Sequence, residues 1–179
     1  MGEALRTAEK EDLRSDVLLL IAERKFDRRP IGSIRIEPNF TGPLRIESET
    51  TLPDRFRNRQ LVELTRLGVD NGNAGTLVMA ALAKAAFEIC SACGIDYAIA
   101  VGRRSMGEMF RSLCFDVIEG PVHLSYSKTV PFWLYAIPVA EWEQRLRGKG
   151  HFYFEFMART DHPDIAIDYD HVFGTFGAR

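Results

Sequence analysis

The stretch Leu61-Val62-Glu63-Leu64-Thr65-Arg66-Leu67-Gly68-Val69, then Asp70-Asn71-Gly72-Asn73-Ala74-Gly75, then Thr76 to Cys93, decides the fold. The first part reads as a strand with a carboxylate, Glu63, among apolar and small neighbours. The second is a turn whose glycines permit unusual backbone angles. The third is a helix that is apolar nearly all round (Leu77, Val78, Met79, Leu82, Phe87, Ile89) and stops at Gly94, a left-handed terminator. A helix with no polar face must be buried against a sheet. Its N-terminus leaves backbone N–H groups unpaired and carries a partial positive charge, so it suits a phosphate. A strand-to-helix turn needs a glycine in any case, so this feature alone does not separate a phosphate site from a plain turn.

Working outward, Asp16 to Ala22 is a β-rich run, Glu23 to Pro30 a charged turn, and Ile31 to Ile36 an alternating strand. These two strands read as a hairpin pair. Pro38, Gly42, Pro43 and Pro53 punctuate Glu37 to Arg59, which makes that stretch an excursion. Beyond the long helix, Tyr97 to Val101 is a continuously apolar strand of the kind covered on both faces. A short helix is predicted over Ser105 to Leu113, an antiparallel pair over Val122 to Ser127 and Pro131 to Val139, and a helix over Ala140 to Arg147. The predicted order is β-β-(excursion)-β-loop-α-β-α-β-β. Residues 140–179 read as a helical and irregular extension packed on the same domain.

Bulk properties bound the function classes. A chain of 179 residues suits one domain, and its 46% hydrophobic and 27% charged residues exclude a disordered chain. A formal net charge of -2 gives no general drive toward nucleic acid. No uninterrupted apolar run approaches the roughly 20 residues of a membrane span, and Met1 to Asp16 lacks a secretory pattern. A cytoplasmic protein is the expectation. Cys90, Cys93 and Cys114 are too few for a disulfide framework. Cys90 and Cys93 form a C-x-x-C near a helix end with no second pair, and read as structural thiols. His123, His151, His162 and His171 lack ligand spacing, so no metal is expected.

Three stretches carry a family resemblance. Gly32-Ser33-Ile34-Arg35-Ile36-Glu37-Pro38 looks like a G-x-x-R-L-x-P strand, and Glu63-Leu64-Thr65-Arg66-Leu67-Gly68-Val69 looks like an E-x-[ST]-R-x-x-V strand. Glu9-x-x-Asp12 looks like an acidic pair placed just before the first strand. With the element order, these resemble the GNAT superfamily. More closely they resemble the bacterial long-chain N-acyl amino acid synthases of N-acyltyrosine synthase type, related to the acyl-homoserine lactone synthases. The resemblance covers about Glu9 to Val139. It implies a central mixed β-sheet flanked by helices, with a splayed strand pair forming the acyl-thioester site. It also implies transfer of a long-chain acyl group from acyl carrier protein to the α-amine of an amino acid such as tyrosine. The donor would be a phosphopantetheine arm, or acyl-coenzyme A, rather than a tightly bound cofactor, and the product lipid-like. Against the family pattern, N-terminal helices before Glu9 are expected to be missing. The turn is shorter than Q/R-x-x-G-x-G/A, which favours a carrier-bound pantetheine over coenzyme A. Phe110-Arg111-Ser112-Leu113-Cys114-Phe115 stands where relatives have Y-x-x-x-G-F, without the tyrosine that protonates the leaving thiolate.

The resemblance assigns residues. Two roles fit Glu63: acceptor of the attacking amine's proton, or buried ion-pair partner of Arg35 or Arg66. Arg35 fits an acceptor carboxylate by a bidentate bridge, or that pairing with Glu63. Arg66, alternating off the face of Glu63, is expected to pair with Glu9 or Asp12. Leu67, Gly68, Val69, Asn71, Gly72, Asn73, Ala74, Gly75 and Thr76 would hold the pantetheine, with backbone N–H groups near Leu67 to Val69 meeting the oxyanion. Arg103, Arg104 and Arg111 form a basic cluster that suits an acidic carrier protein or is a solvated face. An acyl channel is expected under Phe132 to Tyr135. The other readings are an acyl-homoserine lactone synthase, an acetyl-coenzyme A-dependent N-acetyltransferase, and an idle thioester-binding module.

Overall fold

Six strands form in the order the sequence predicts: β1 (Leu18–Glu23), β2 (Pro30–Pro38), β3 (Leu61–Val69), β4 (Tyr97–Arg103), β5 (Asp116–Leu124) and β6 (Ser127–Pro138). Among the described residues four α-helices accompany them: α1 (Gly75–Ala92) and α2 (Gly107–Ser112) between strands, and α3 (Trp142–Gly148) and α4 (Tyr169–Phe176) after the last strand. The computed structural model describes residues 9–70, 75–148 and 154–176. The strands make one sheet of order β1-β2-β3-β4-β6-β5. Every neighbouring pair is antiparallel except β3 and β4, which are parallel because α1 carries the chain across between them. This mixed sheet with flanking helices is a GNAT-like α/β fold.

Alternation along the strands makes two layers. One face buries Ile34, Ile36, Val62, Leu64 and Ile137 against α1. Among the described residues α1 alone has the length and hydropathy of a membrane span, yet half of it is buried here. The other face buries Leu61, Ile99 and Leu134 against Leu44, Ile46 and Phe56 of the excursion, which folds as two short 3-10 turns, Arg45–Ser48 and Asp54–Phe56. The polar members of the central strands share this second face, since Arg35 lies opposite Thr65 and Glu37 opposite Glu63.

The elements after α2 differ most from the sequence reading, and β6 begins at Ser127 rather than Pro131. β5 begins at Asp116 rather than Val122, because an edge strand tolerates Gly120 and Pro121 by shifting register repeatedly along β6. The tail is less irregular than expected: α4 buries Val172 and Phe176, and Phe176 meets Phe40 edge-on at 5.5 Å. Buried Lys84 of α1 ties down the π-helical turn Glu155–Arg159 through a 3.1 Å hydrogen bond from Nζ to the Met157 carbonyl.

The feature that positions the site is a break in the sheet. β3 and β4 pair from Leu61 with Tyr97 to Leu64 with Ala100, and no further, although β3 continues to Val69 and β4 to Arg103. At the same place β3 takes an extra residue against β2. Arg35 pairs with Thr65 but Ser33 pairs with Gly68, so two steps of β2 face three of β3. Arg66 absorbs the excess with φ of 51°, a left-handed angle rarely seen outside glycine. The Ser33 hydroxyl donates to the Arg66 carbonyl at 3.0 Å and holds the bulge. Past the bulge β3 stays with β2 and leaves β4, which opens a wedge between parallel strands.

Gly32 lets α1 close over that wedge. A Cβ there would lie 2.7 Å from Val78 Cγ1 and 3.1 Å from Leu82 Cδ1. Gly32→Ala is therefore expected to destabilise the fold by about 1–3 kcal/mol, as overpacking does. The measurement is a lower denaturant midpoint with an unchanged slope.

Candidate active site

The wedge is lined at its open end by the residues expected to hold a pantetheine. Leu67, Gly68 and Val69 are half-buried on the unpaired length of β3, and Gly75 and Thr76 open α1. Asn71, Gly72, Asn73 and Ala74 lie outside the described residues. Beside this end is a mainly apolar cavity of about 330 Å³, walled by Val69, Thr76, Met79, Met109, Leu113 and Met157. That size suits a small-molecule site, and methionines adapt to a flexible apolar guest. The expected channel under Phe132 to Tyr135 is not where the apolar space lies. Tyr135 is sealed and stacks on Phe110 at 4.4 Å, filling that region with rings and leaving the cavity between α1 and α2.

Glu63 lies on the opposite face, just before the strands part. It is 3% exposed, and Oε2 accepts a 2.9 Å hydrogen bond from the Ile46 N–H. Oε1 takes no hydrogen bond among the described residues. Burial raises its pKa to about 7; the Glu37 charge adds to this, while the Ile46 hydrogen bond and the charges of Arg45 and Arg35 oppose it. A carboxyl titrating there can take a proton near neutral pH and give it up again.

Arg35 is elsewhere occupied. It is fully buried, and Nε donates to Glu37 Oε1 at 2.8 Å and to Thr65 Oγ1 at 2.9 Å. Nη1 donates to Glu9 Oε2 at 2.9 Å and to Asp12 Oδ1 at 2.8 Å, and Nη2 lies in ion-pair contact with Glu37 Oε1 at 2.7 Å. Nη2 makes no hydrogen bond among the described residues, but the whole side chain is sealed from solvent, so no fork is exposed to a substrate, which corrects its expected role as the acceptor's carboxylate site. Among the described residues Glu63 forms no ion pair with Arg35 or Arg66, so the paired reading of Glu63 fails on geometry as well. Arg66 meets Asp12 at 3.0 Å, as expected, but for a different reason. The bulge turns it onto the face of Arg35, where plain alternation would have turned it away. Burial alone would raise the Asp12 carboxyl; hydrogen bonds from Arg35 and the Glu9 N–H, with the charges of Arg35 and Arg66, outweigh it and hold that carboxyl below its ordinary range.

Thr65 and Glu37 are parts of this cluster that the sequence reading did not single out. Thr65 donates from its hydroxyl to Glu37 at 2.7 Å while accepting from Arg35. The signal was alternation: Arg35 and Glu37 are two apart on one strand and face Thr65 and Glu63 on the next.

Arg103, Arg104 and Arg111 are exposed at the end of the sheet where β3 and β4 part. Arg104 and Arg111, with Trp133, border an open groove of about 770 Å³ on the far side of α2 from the apolar cavity. The groove is larger, but its more polar lining suits a surface contact better than an acyl chain. In the Phe110–Phe115 segment Cys114 has φ of 70°, the left-handed conformation that a glycine takes readily. The backbone turn of Y-x-x-x-G-F is thus kept with neither its tyrosine nor its glycine. Cys90 and Cys114 are buried, Cys93 is partly so, and among the described residues none of the three is in a disulfide.

Neither a protein-family model nor a curated protein sequence matches the chain. Solved structures do. FeeM, an N-acyl amino acid synthase from uncultured soil microbes, superposes with a TM-score of 0.61 at 19% identity over 73% of this chain and 76% of FeeM. BjaI, a coenzyme A-dependent acyl-homoserine lactone synthase solved with MTA, gives 0.59 at 18% identity over 94% and 77%. TofI, in a ternary complex with an inhibitor and MTA, gives 0.59 at 19% over 79% and 74%. At these identities the likeness is one of fold.

The assignment of Arg35 as a strut is open to a direct check. Removing one partner of a buried ion cluster leaves uncompensated charge and costs about 3–5 kcal/mol. Arg35→Met is expected to lose stability on that scale at neutral pH in a chemical-denaturation experiment. A loss below about 1 kcal/mol would mean that the cluster does not depend on Arg35.

Proposed function

We propose that this chain is an N-acyltransferase that moves a long-chain acyl group from an acyl carrier protein thioester to the α-amine of an amino acid, tyrosine being the first candidate. The observation that carries the proposal is the position of Glu63. Its carboxylate, with one oxygen uncommitted, stands where β3 leaves β4, across the sheet from the N-terminus of α1 and the apolar cavity. A thioester threaded through the wedge would have its acyl chain and pantetheine on the α1 side and its carbonyl beside Glu63. The fold shared with FeeM, BjaI and TofI supports an acyl-thioester chemistry of this class.

The reaction needs little more. An α-ammonium group is mostly protonated near neutral pH and cannot attack until it loses a proton. Glu63 accepts that proton, directly or through a water. The freed amine adds to the thioester carbonyl, forming the C–N bond, and backbone N–H groups along Leu67 to Val69, on the edge of β3 released from β4, would meet the developing oxyanion. Collapse breaks the C–S bond and expels a thiolate, which is stable enough near neutral pH to leave without a dedicated acid; the second proton, which the nitrogen sheds on becoming an amide, passes to that thiolate directly or through a water. The absence of a tyrosine at Phe110 is consistent with this. The apolar cavity favours a chain longer than acetyl, since each buried methylene contributes about 0.8 kcal/mol.

Glu63→Gln tests the proposal by two readouts that move in opposite directions. Activity requires the ionised carboxylate, so the wild-type rate is expected to rise through about pH 7. In the variant it falls on the order of a hundredfold or more, with recovery only as pH approaches the amine's own pKa. Stability has the other sign. A folded pKa raised above the unfolded value means that the native state holds a proton the unfolded chain has lost, so wild-type stability declines from about pH 4.5 to about pH 7. The decline is on the order of 3 kcal/mol and is absent from Glu63→Gln. Full activity per folded molecule in the variant would end the assignment.

The donor is tested at the arginines. Exposed Arg103 and Arg104 lie at the open end of the wedge, and carrier proteins are acidic, so attraction between them is screened by salt. The double charge reversal Arg103→Glu, Arg104→Glu is expected to lower kcat/KM for acyl carrier protein at low ionic strength and to flatten its salt dependence. Acyl-coenzyme A or acyl-pantetheine is expected to be affected much less. An unchanged salt profile would remove carrier docking at this face.

A further inference from the structure

A second cation stands on the face of Glu63, and unlike Arg35 it is partly exposed and its guanidinium donates no hydrogen bond among the described residues. Arg45 opens the 3-10 turn whose next residue, Ile46, donates its N–H to Glu63 at 2.9 Å. Its side chain is 37% exposed, its Nη1 lies 3.8 Å from Glu9 Oε2, and its guanidinium sits 5.0 Å over the centre of the Tyr126 ring. Its guanidinium donates no hydrogen bond among the described residues. Tyr126 is 59% exposed at the β5–β6 turn. That turn is held in place by Glu49, which accepts from both the N–H and the hydroxyl of Ser125 at 2.6 Å.

An exposed arginine over a tyrosine is often only a solvated cation–π pair. Three facts point further. The planar fork is steadied by the ring and by Glu9, yet all its donors remain available, as a bidentate carboxylate site requires. It is adjacent in sequence to the residue that fixes Glu63. And Glu63 keeps one oxygen uncommitted. In an α-amino acid the nitrogen and the carboxylate carbon are only about 2.5 Å apart, so groups that recognise the two must themselves be close neighbours.

We propose that Arg45 binds the α-carboxylate of the acceptor, with Tyr126 as the shelf beneath its guanidinium, while Glu63 addresses the amine. This rests on the acyl-transfer reading above and deepens it: the acceptor class is an α-amino carboxylate rather than a simple amine. An amine without the carboxylate leaves the arginine without its partner, and a site built to pair a polar group discriminates strongly against analogues that lack it.

The test pairs L-tyrosine with tyramine, which differ by the carboxylate alone, and uses dodecanoyl-acyl carrier protein as donor. Wild type is expected to prefer tyrosine by at least tenfold in kcat/KM. Arg45→Gln is expected to lose at least tenfold of that preference through KM for tyrosine, and Arg45→Lys to regain part of it. A wild type without the preference, or a preference unchanged in Arg45→Gln, overturns the inference. A ligand-observed NMR titration of L-tyrosine without donor separates the two layers of the argument. Binding weakened in Arg45→Gln, but with no turnover on any acceptor, keeps the subsite and removes acyl transfer. Equal binding to both proteins, with turnover intact, removes the subsite and keeps acyl transfer.

Discussion

Everything proposed for this protein depends on a sheet that stops being a sheet. Two parallel strands are normally held together along their length, because unpaired backbone groups in a protein interior are costly. Here β3 and β4 separate after Leu64 and Ala100. The separation is tolerated because the left-handed Arg66 inserts a residue into β3 and the Ser33 hydroxyl takes its carbonyl, while β2 continues to pair with Gly68 and Val69. The strand is thus secured on one side and released on the other. The released side is where a planar, hydrogen-bonding group such as a thioester with its amide arm would complete the pairing.

The same bulge organises the charges. By turning Arg66 onto the face of Arg35, it brings two arginines to one acidic pair, Glu9 and Asp12, and leaves Glu37 and Thr65 to complete the shell around Arg35. Hydrogen bonds and charges from these arginines outweigh burial at Asp12, which stays ionised. Glu63, two pairs along from Arg35 and opposite Glu37, takes its hydrogen bond from a backbone N–H in place of an arginine. Burial therefore prevails for Glu63 and raises its pKa to about 7. The structure thus distinguishes Asp12, held ionised by its arginines, from Glu63, on which burial prevails, and that division is a physical basis for expecting chemistry at Glu63.

Much of this was legible in the sequence, and what was not has identifiable causes. β3 was readable to its end residues because Leu61 to Val69 is bounded by a polar run and a glycine turn, and α1 because its apolar residues leave no polar face. Glu63 stood out as a carboxylate among apolar neighbours. Arg35 was misjudged because its motif reports that an arginine is needed, while its role depends on Glu9 and Asp12 arriving from a different segment. The face of Arg66 was misjudged because strict alternation fails at a bulge, and no glycine marks this one. Arg45 and Tyr126 were invisible: they lie in an excursion and a hairpin turn, and only the fold brings them to Glu63. The acyl channel was placed under the wrong aromatic residues because ring content cannot distinguish a lined cavity from a filled one, and the stack of Phe110 on Tyr135 is filled.

The central claim is that the wedge between β3 and β4 seats the thioester, with the acyl chain on the α1 side and Glu63 facing the reacting carbonyl. A crystal structure with dodecanoyl-pantetheine carrying an amide in place of the thioester tests it most directly. The account predicts the amide carbonyl between the strands beyond Leu64 and Ala100, on the side of Glu63, with the alkyl chain against Met79, Met109 and Met157. An analogue bound instead in the groove beside Arg104 and Trp133, or a wedge closed to it by direct pairing of β3 with β4, would contradict the account.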